Sequence, residues 1–294
     1  MKGSYFLAAT LFLLLSLFQA PPRLELRAGN EWMPWRAFEP GAAAPRAPLL
    51  DRTIAWRGSA PGLRLGAFEV RTEGRSFSEN GIAVLELDPA RFRFELAAAP
   101  GFERRTAAEW MRDPSIVAAM NTGLFRVNGT PQGIVMLDGT RRSALAGWLD
   151  VVVAIEDGRL QVTDIEGART LPPGASAFQT LPWLVRDGRV VLGVTSGVRL
   201  SRTHRDRRIT LCLSDDGPVR ILLSNFEVFG QNAGRIPIGL TIPEQAIIAS
   251  AAGCRDAVAL DGGISAQLVV RMGQRLRRMP GWRRVPLMLL VRRR

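Results

Sequence analysis

Lysine is all but missing from this chain. Of its 39 basic residues only Lys2 is a lysine, so the formal net charge of +12 is carried by arginine. Histidine is scarcer still, with His204 alone. One histidine and two cysteines, Cys212 and Cys254, make no Cys/His cluster of the kind a zinc site requires. No obligatory metal or other cofactor is therefore expected. Basic stripes with interleaved aromatics, helix-turn-helix patterns and zinc-finger spacings are also missing, so no nucleic-acid partner is expected. An arginine-rich surface still favours anionic partners such as phosphates, acidic glycans or lipid headgroups. The apolar run from Tyr5 to Phe18 falls short of the ~20 residues of a spanning helix. With Lys2 ahead of it and Pro21-Pro22 behind, residues 1–20 read as a signal peptide or an N-terminal membrane anchor, with residues 5–20 as the membrane contact. Either way the rest of the chain is expected in the periplasm or outside the cell. In an exported protein the two cysteines either pair or lie as two buried thiols.

What is present is an ordinary globular composition: 47% hydrophobic and 22% charged residues, enough to bury a core. Residues 21–61 are rich in Pro, Ala and Arg with little periodicity and read as a linker or arm. From residue 62 to 294 strand signals dominate. "LGAFEVRT", "GIAVLELD" and "FRFELAAA" are consecutive strands, with turns around Asn80-Gly81 and Asp88-Pro89. Hairpins follow with turns at Asp157-Gly158, Asp187-Gly188 and Asp216-Gly217. "SIVAAMN" is a short buried strand that ends at Asn121, and "TAAEWMRDP" is a short helix before it. Thr241-Ile-Pro-Glu244 is a capping-box start for a second helix that stops at Gly253. "DAVAL", apolar on both faces, reads as a central strand. The fold class expected is α+β: one sheet-rich domain of mixed and hairpin-connected strands with a few helices.

The segment "VALDGGISAQLVV" then stands out. A carboxylate, two glycines and a hydroxyl break two runs too apolar to be surface hairpin arms. Asp-Gly is also the commonest tight turn. Placed at the end of a buried strand, however, Asp261 reaches the sheet rim, and Gly262 and Gly263 let a ligand approach the backbone. Ser265 adds a hydroxyl. Two further breaks share this character: "NTGLF", with Asn121, Gly123 and Phe125, and "FQTLP", with Gln179.

In order along the chain, these stretches resemble the phosphodiester glycosidase family. The resemblance covers roughly residues 65–291 and rests on Asn121-Thr-Gly123-Leu-Phe125, Gln179 to Pro182, Arg208 and Leu260-Asp261-Gly262-Gly263-Ile-Ser265. The chain departs from the pattern at Leu181 and Cys212, where glycine is usual, and Arg202 and Arg207 compete with Arg208 for the arginine position. The resemblance implies hydrolysis between the anomeric carbon of a sugar and a phosphodiester, on an envelope or extracellular glycan. Asp261 is then the catalytic carboxylate and Arg208 the phosphate clamp. Asn121, Gly123, Phe125, Gln179, Gly262, Gly263 and Ser265 line the substrate, with His204 as a proton relay. The partner implied is a sugar phosphodiester or phosphorylated glycan. Two rival readings are a non-catalytic glycan- or phosphosugar-binding envelope protein of the same fold, and a membrane-surface protein using the arginines of "RMGQRLRRMPGWRRVPLMLLVRRR".

Overall fold

The computed structural model describes residues 23–28, 31–35, 50, 53–72, 80–191, 201–215, 217–225 and 239–294. The expected leader, 1–20, lies outside these residues, as does Asp216 of the third hairpin turn. Three sheets of ten, five and five strands build the molecule, and each strand pairing in them is antiparallel. The expected mixed character is therefore not seen among the described residues. Hairpins such as those at Asp157-Gly158 and Asp187-Gly188 supply some of these pairs, and the others, such as Leu287–Arg293 with Phe92–Ala98, join strands distant in sequence.

The largest core lies where the three sheets face one another. It takes Leu85 and Ile209 from the ten-strand sheet, Phe94 and Met120 from one small sheet, and Val151 and Phe178 from the other. The opposite face of the large sheet is covered by the helix Ile242–Ala251, all of whose residues are buried. This helix starts as its sequence indicates. Thr241 Oγ1 accepts from the Glu244 amide, and Glu244 Oε2 accepts from the Thr241 amide. The buried Glu244 carboxylate would be costly alone, but Arg205 bonds both its oxygens at 2.6 and 3.0 Å. The second helix, Ala107–Trp110, has the same capping box, between Thr106 and Glu109.

Cys212 and Cys254 are joined in a disulfide, with Cα atoms 5.3 Å apart. It ties the strand Ile209–Leu213 to the turn that leads into the strand Asp256–Ala259, its neighbour in the sheet. That strand is central, flanked by Ile209–Leu213 and Trp183–Arg186, as the two-faced apolar run "DAVAL" requires.

Two further features differ from the sequence reading. Within the expected arm, Leu24–Ala28 and Ala55–Ala60 both pair with Leu63–Thr72 as strands of the large sheet. Leu24 and Leu26 are buried there, so alternation over five residues sufficed where composition suggested a linker. Asn80 and Gly81 are not a turn. They open the strand Asn80–Leu87, opposite Val70 and Glu69.

Candidate functional site

The site forms where two strands of different sheets end side by side. Ile116–Asn121 ends on Asn121, and Asp256–Ala259 runs out through Leu260 to Asp261. Their ends are bonded directly. The Asp261 amide donates to Thr122 O at 2.8 Å, and Asn121 Nδ2 donates to Asp261 O at 2.6 Å. Asp261, Ser265, Phe125, His204, Asp206 and Arg283 then line a cleft of about 320 Å³.

Asp261 is partly buried, and burial pushes its carboxyl up to about 7, against an ordinary value of 3.8. A bond from Ser265 and the charge of Arg283 pull the other way, while the neighbouring Asp206 adds to the rise. Asp206 is itself raised by burial, and the charge of Arg208 and the amide of Arg207 oppose this. The Arg207 amide donates to Asp206 Oδ1 at 2.9 Å, and His204 Nε2 lies 3.7 Å from Asp206 Oδ2. Two carboxylates with raised proton affinity thus face one cleft beside one arginine, an arrangement suited to proton transfer and to stabilising a cationic carbon.

The glycines are where close approach demands them. A Cβ on Gly123 would lie 2.1 Å from Gln179 O. Gly263 has a φ of +59°, and its Cβ would stand 3.0 Å from Asp206 Oδ2. Gly262 passes the carbonyl of Arg207, which also accepts from the Gly263 amide at 2.8 Å. That amide therefore faces its own chain, while the Gly262 and Gly263 backbone lines the cleft.

Two of the expected sugar contacts hold the frame. Gln179 is buried and fills four hydrogen bonds with backbone. Its Oε1 accepts from Ile134 and Ala146, and its Nε2 donates to Ala146 and Leu149. Asn121, also buried, grips Asp261 O and accepts from the Gln267 amide at 2.9 Å. Arg208 is not among the cleft-lining side chains. Its Nε donates to Leu240 O at 3.0 Å and its Nη2 to His204 O at 3.0 Å, so it buttresses the Asp206 segment from behind. Arg207 is buried, donates to Pro280 O at 2.6 Å, and is pushed down to about 10 by that burial. His204 lies at the exposed rim. Phe125 walls the cleft, with the Arg283 guanidinium 5.8 Å from its ring centre.

Sequence reasoning missed three residues. Asp206 sits between arginines in "HRDRR", and its only signal is an acidic residue just ahead of a buried strand. Arg283 is one of many arginines near the C-terminus, and no spacing sets it apart. Gln267 looks like a strand residue. It donates to Ser265 O and Arg283 O and accepts from the Ala107 amide at 2.6 Å, tying the Asp261 turn to the Arg283 segment. Among the described residues no cluster of three His, Cys, Asp or Glu side chains is arranged to hold a metal ion.

Solved structures of similar fold include the zebrafish N-acetylglucosamine-1-phosphodiester alpha-N-acetylglucosaminidase catalytic domain, auto-inhibited by its pro-peptide. It has a TM-score of 0.62 and 16% identity over 82% of this chain and 89% of that one. A hypothetical protein from Synechocystis has a TM-score of 0.59 and 15% identity over 94% and 69% of the two chains. A putative exported protein from Burkholderia pseudomallei has a TM-score of 0.52 and 14% identity over 98% and 89%. These likenesses show the fold. No curated protein matches the chain. A model of the phosphodiester glycosidase family matches residues 114–292, a span that takes in Asn121, Gln179, Asp206, Asp261 and Arg283. By that match, which covers well over half of the chain, the protein belongs to the phosphodiester glycosidase family.

Proposed function

We propose that the protein hydrolyses a sugar-1-phosphodiester, cutting between the anomeric carbon and the phosphate oxygen. The observation that carries this reading is the convergence of Asp261, Asp206 and Arg283 on one cleft. The departing phosphate monoester is already anionic and weakly basic. It needs charge stabilisation more than a strong acid, and the fork of Arg283 suits phosphate oxygens. Asp261 in its ionised form takes a proton from water. The water oxygen bonds to the anomeric carbon, and the electron pair of the broken C–O bond leaves on the phosphate. Asp206 adds negative potential to a carbon of oxocarbenium character. Ser265 steadies Asp261, and Phe125 walls the sugar. Asn121, Gln179 and Arg208 serve by fixing these groups in place. The substrate is a phosphorylated glycan of the envelope or the extracellular space. Export, to the periplasm or beyond, is supported by the disulfide and by the leader-like start with Lys2 and the run Tyr5 to Phe18, cleaved or kept as an anchor.

The test is turnover of α-glycosyl phosphodiesters in ¹⁸O water. The expected products are a sugar labelled at its anomeric oxygen and an unlabelled phosphate monoester, with kcat/KM rising with pH through about 7 as Asp261 ionises. Label in the phosphate, or activity that falls across that range, refutes the mechanism. Binding of every member without turnover establishes the non-catalytic reading instead.

A further inference from the structure

From Gly262 to Arg294 the sequence holds nine arginines and neither aspartate nor glutamate. Folding gives most of these arginines a partner. Arg284 pairs with Glu109, and Arg292 with Glu95 and Asp113. Arg271 donates to the carbonyls of Met111, Asp113 and Ile116, and Arg294 to those of Pro89 and Phe92. Arg283 lines the cleft, and Arg293 stands over the Phe92 ring. The other three, Arg275, Arg277 and Arg278, are exposed, and their side chains make no hydrogen bond or ion pair among the described residues.

All three lie on one strand, Arg275–Met279, at the edge of its five-stranded sheet, where it pairs only with Leu268–Met272. Alternation sends Arg275 and Arg277 to the face of Val270, and Arg278 to that of Val269. The open edge is thus flanked by cations on both sides, over ~10 Å of strand. Guanidinium groups that leave opposite faces do not converge on one phosphate, whereas a plane carrying many anions meets all three at once. The carboxylates beside the helix Ala107–Trp110, which packs on this sheet, do not neutralise the strip. They are Glu109 and Asp113, already paired with Arg284 and Arg292.

Three residues past the strand stands Trp282, 57% exposed, with its amide bonded to Ile264 O at 2.8 Å. Tryptophan favours the headgroup level of a bilayer, where its ring meets apolar matter and its N–H meets water. A soluble polyanion would use the arginines and leave the indole in water. A bilayer uses both.

We propose that the edge strand Arg275–Met279, with Trp282 at its end, is a docking surface for a bilayer of anionic phospholipid. The arginines lie against headgroup phosphates, and Trp282 enters the headgroup layer. This surface needs neither turnover nor the cleft carboxylates, and it acts whether or not residues 1–20 are kept.

The experiment mixes the full chain with vesicles of equal parts phosphatidylglycerol and phosphatidylcholine, or of phosphatidylcholine alone, and measures bound protein by sedimentation. Each arginine near an anionic surface contributes ~5-fold. Replacing Arg275, Arg277 and Arg278 together by glutamine is expected to weaken binding to the mixed vesicles ~100-fold and to leave the phosphatidylcholine vesicles unaffected. Removing as many charges from another sheet, by Arg141→Gln, Arg142→Gln and Arg159→Gln together, is expected to cost less than ~3-fold. A brominated lipid reads Trp282 directly, as the part of the fluorescence quenching that Trp282→Phe removes. That part is expected on mixed vesicles for the wild type and not for the first triple variant, even where residues 1–20 hold both on the membrane. Melting temperatures equal to the parent's establish that the variants fold. Equal losses in the two triple variants would reduce the effect to net charge. Unchanged binding and quenching in the first would leave its arginines as guards against strand pairing. Heparin bound through these arginines, with Trp282 unquenched on vesicles, would make the partner a soluble polyanion. Each of these three results overturns the docking surface.

Discussion

Replacing Asp261 by asparagine should destroy activity and stabilise the protein, and the two effects have one cause. Burial raises the Asp261 carboxyl from 3.8 to about 7. A group whose proton affinity is higher folded than unfolded binds more protons in the native state across that window. The destabilisation from this group is absent below about pH 4, grows as pH rises towards 7, and levels off above it. At 1.36 kcal/mol per pH unit, the interval from 3.8 to about 7 amounts to about 4 kcal/mol at pH 8. The asparagine has the same shape, keeps an oxygen that accepts from Ser265, and carries no charge. It also relieves Asp206 of a like-charged neighbour. The variant should therefore match the wild type near pH 4 and exceed it at pH 8 by up to ~4 kcal/mol, roughly 8–16 °C in Tm for a domain of this size. Thermal melts of both proteins at pH 4, 6 and 8 measure the difference directly. A Tm gap that does not grow with pH, or an asparagine variant less stable at pH 8, would show that the fold does not hold Asp261 at a cost, and the raised proton affinity would fall with it.

Two further outcomes follow from the site. Arg283→Lys keeps the charge and loses the fork, so kcat/KM should fall by roughly 10- to 100-fold, most for aglycones that leave poorly; an equal loss across all aglycones would take Arg283 off the departing phosphate. Gln179→Leu strands the amides of Ile134 and Ala146 and the carbonyl of Leu149, while Ala146 O keeps its bond from the Leu149 amide, and should lower stability by at least ~2 kcal/mol in denaturant titrations; a variant as stable as the parent would refute the role of that amide.

Much of the scaffold could be read directly. Thr241 and Glu244 announce their helix because capping is a local interaction, complete within four residues. Asp157-Gly158 and Asp187-Gly188 are hairpin turns for the same reason, with φ near +49° at each aspartate. Asp261 was legible from its setting, between a two-faced apolar strand and a glycine pair. Its partners were not. Asp206 and Arg283 lie 55 residues before it and 22 after it, and only the folded chain brings them to one cleft. Arg208 sits next to the site in sequence but turns its guanidinium to backbone carbonyls, a direction that no spacing encodes. The arm illustrates the same limit. Leu24 and Leu26 alternate over too few residues to outweigh the proline-rich composition around them, yet the strand forms because Leu63–Thr72 offers it an edge.

The amides Asn121, Gln179 and Gln267 carry a consequence of their own. They join the strand ends, the Asp261 turn and the Arg283 segment without a single ionisable group among them. Carboxamides neither gain nor lose a proton anywhere in the range where the fold survives. Acid or base can therefore change which cleft groups are charged without touching the bonds these three amides make. For these amide links, acidity acts as a dial on the reactive groups they hold and not on the links themselves.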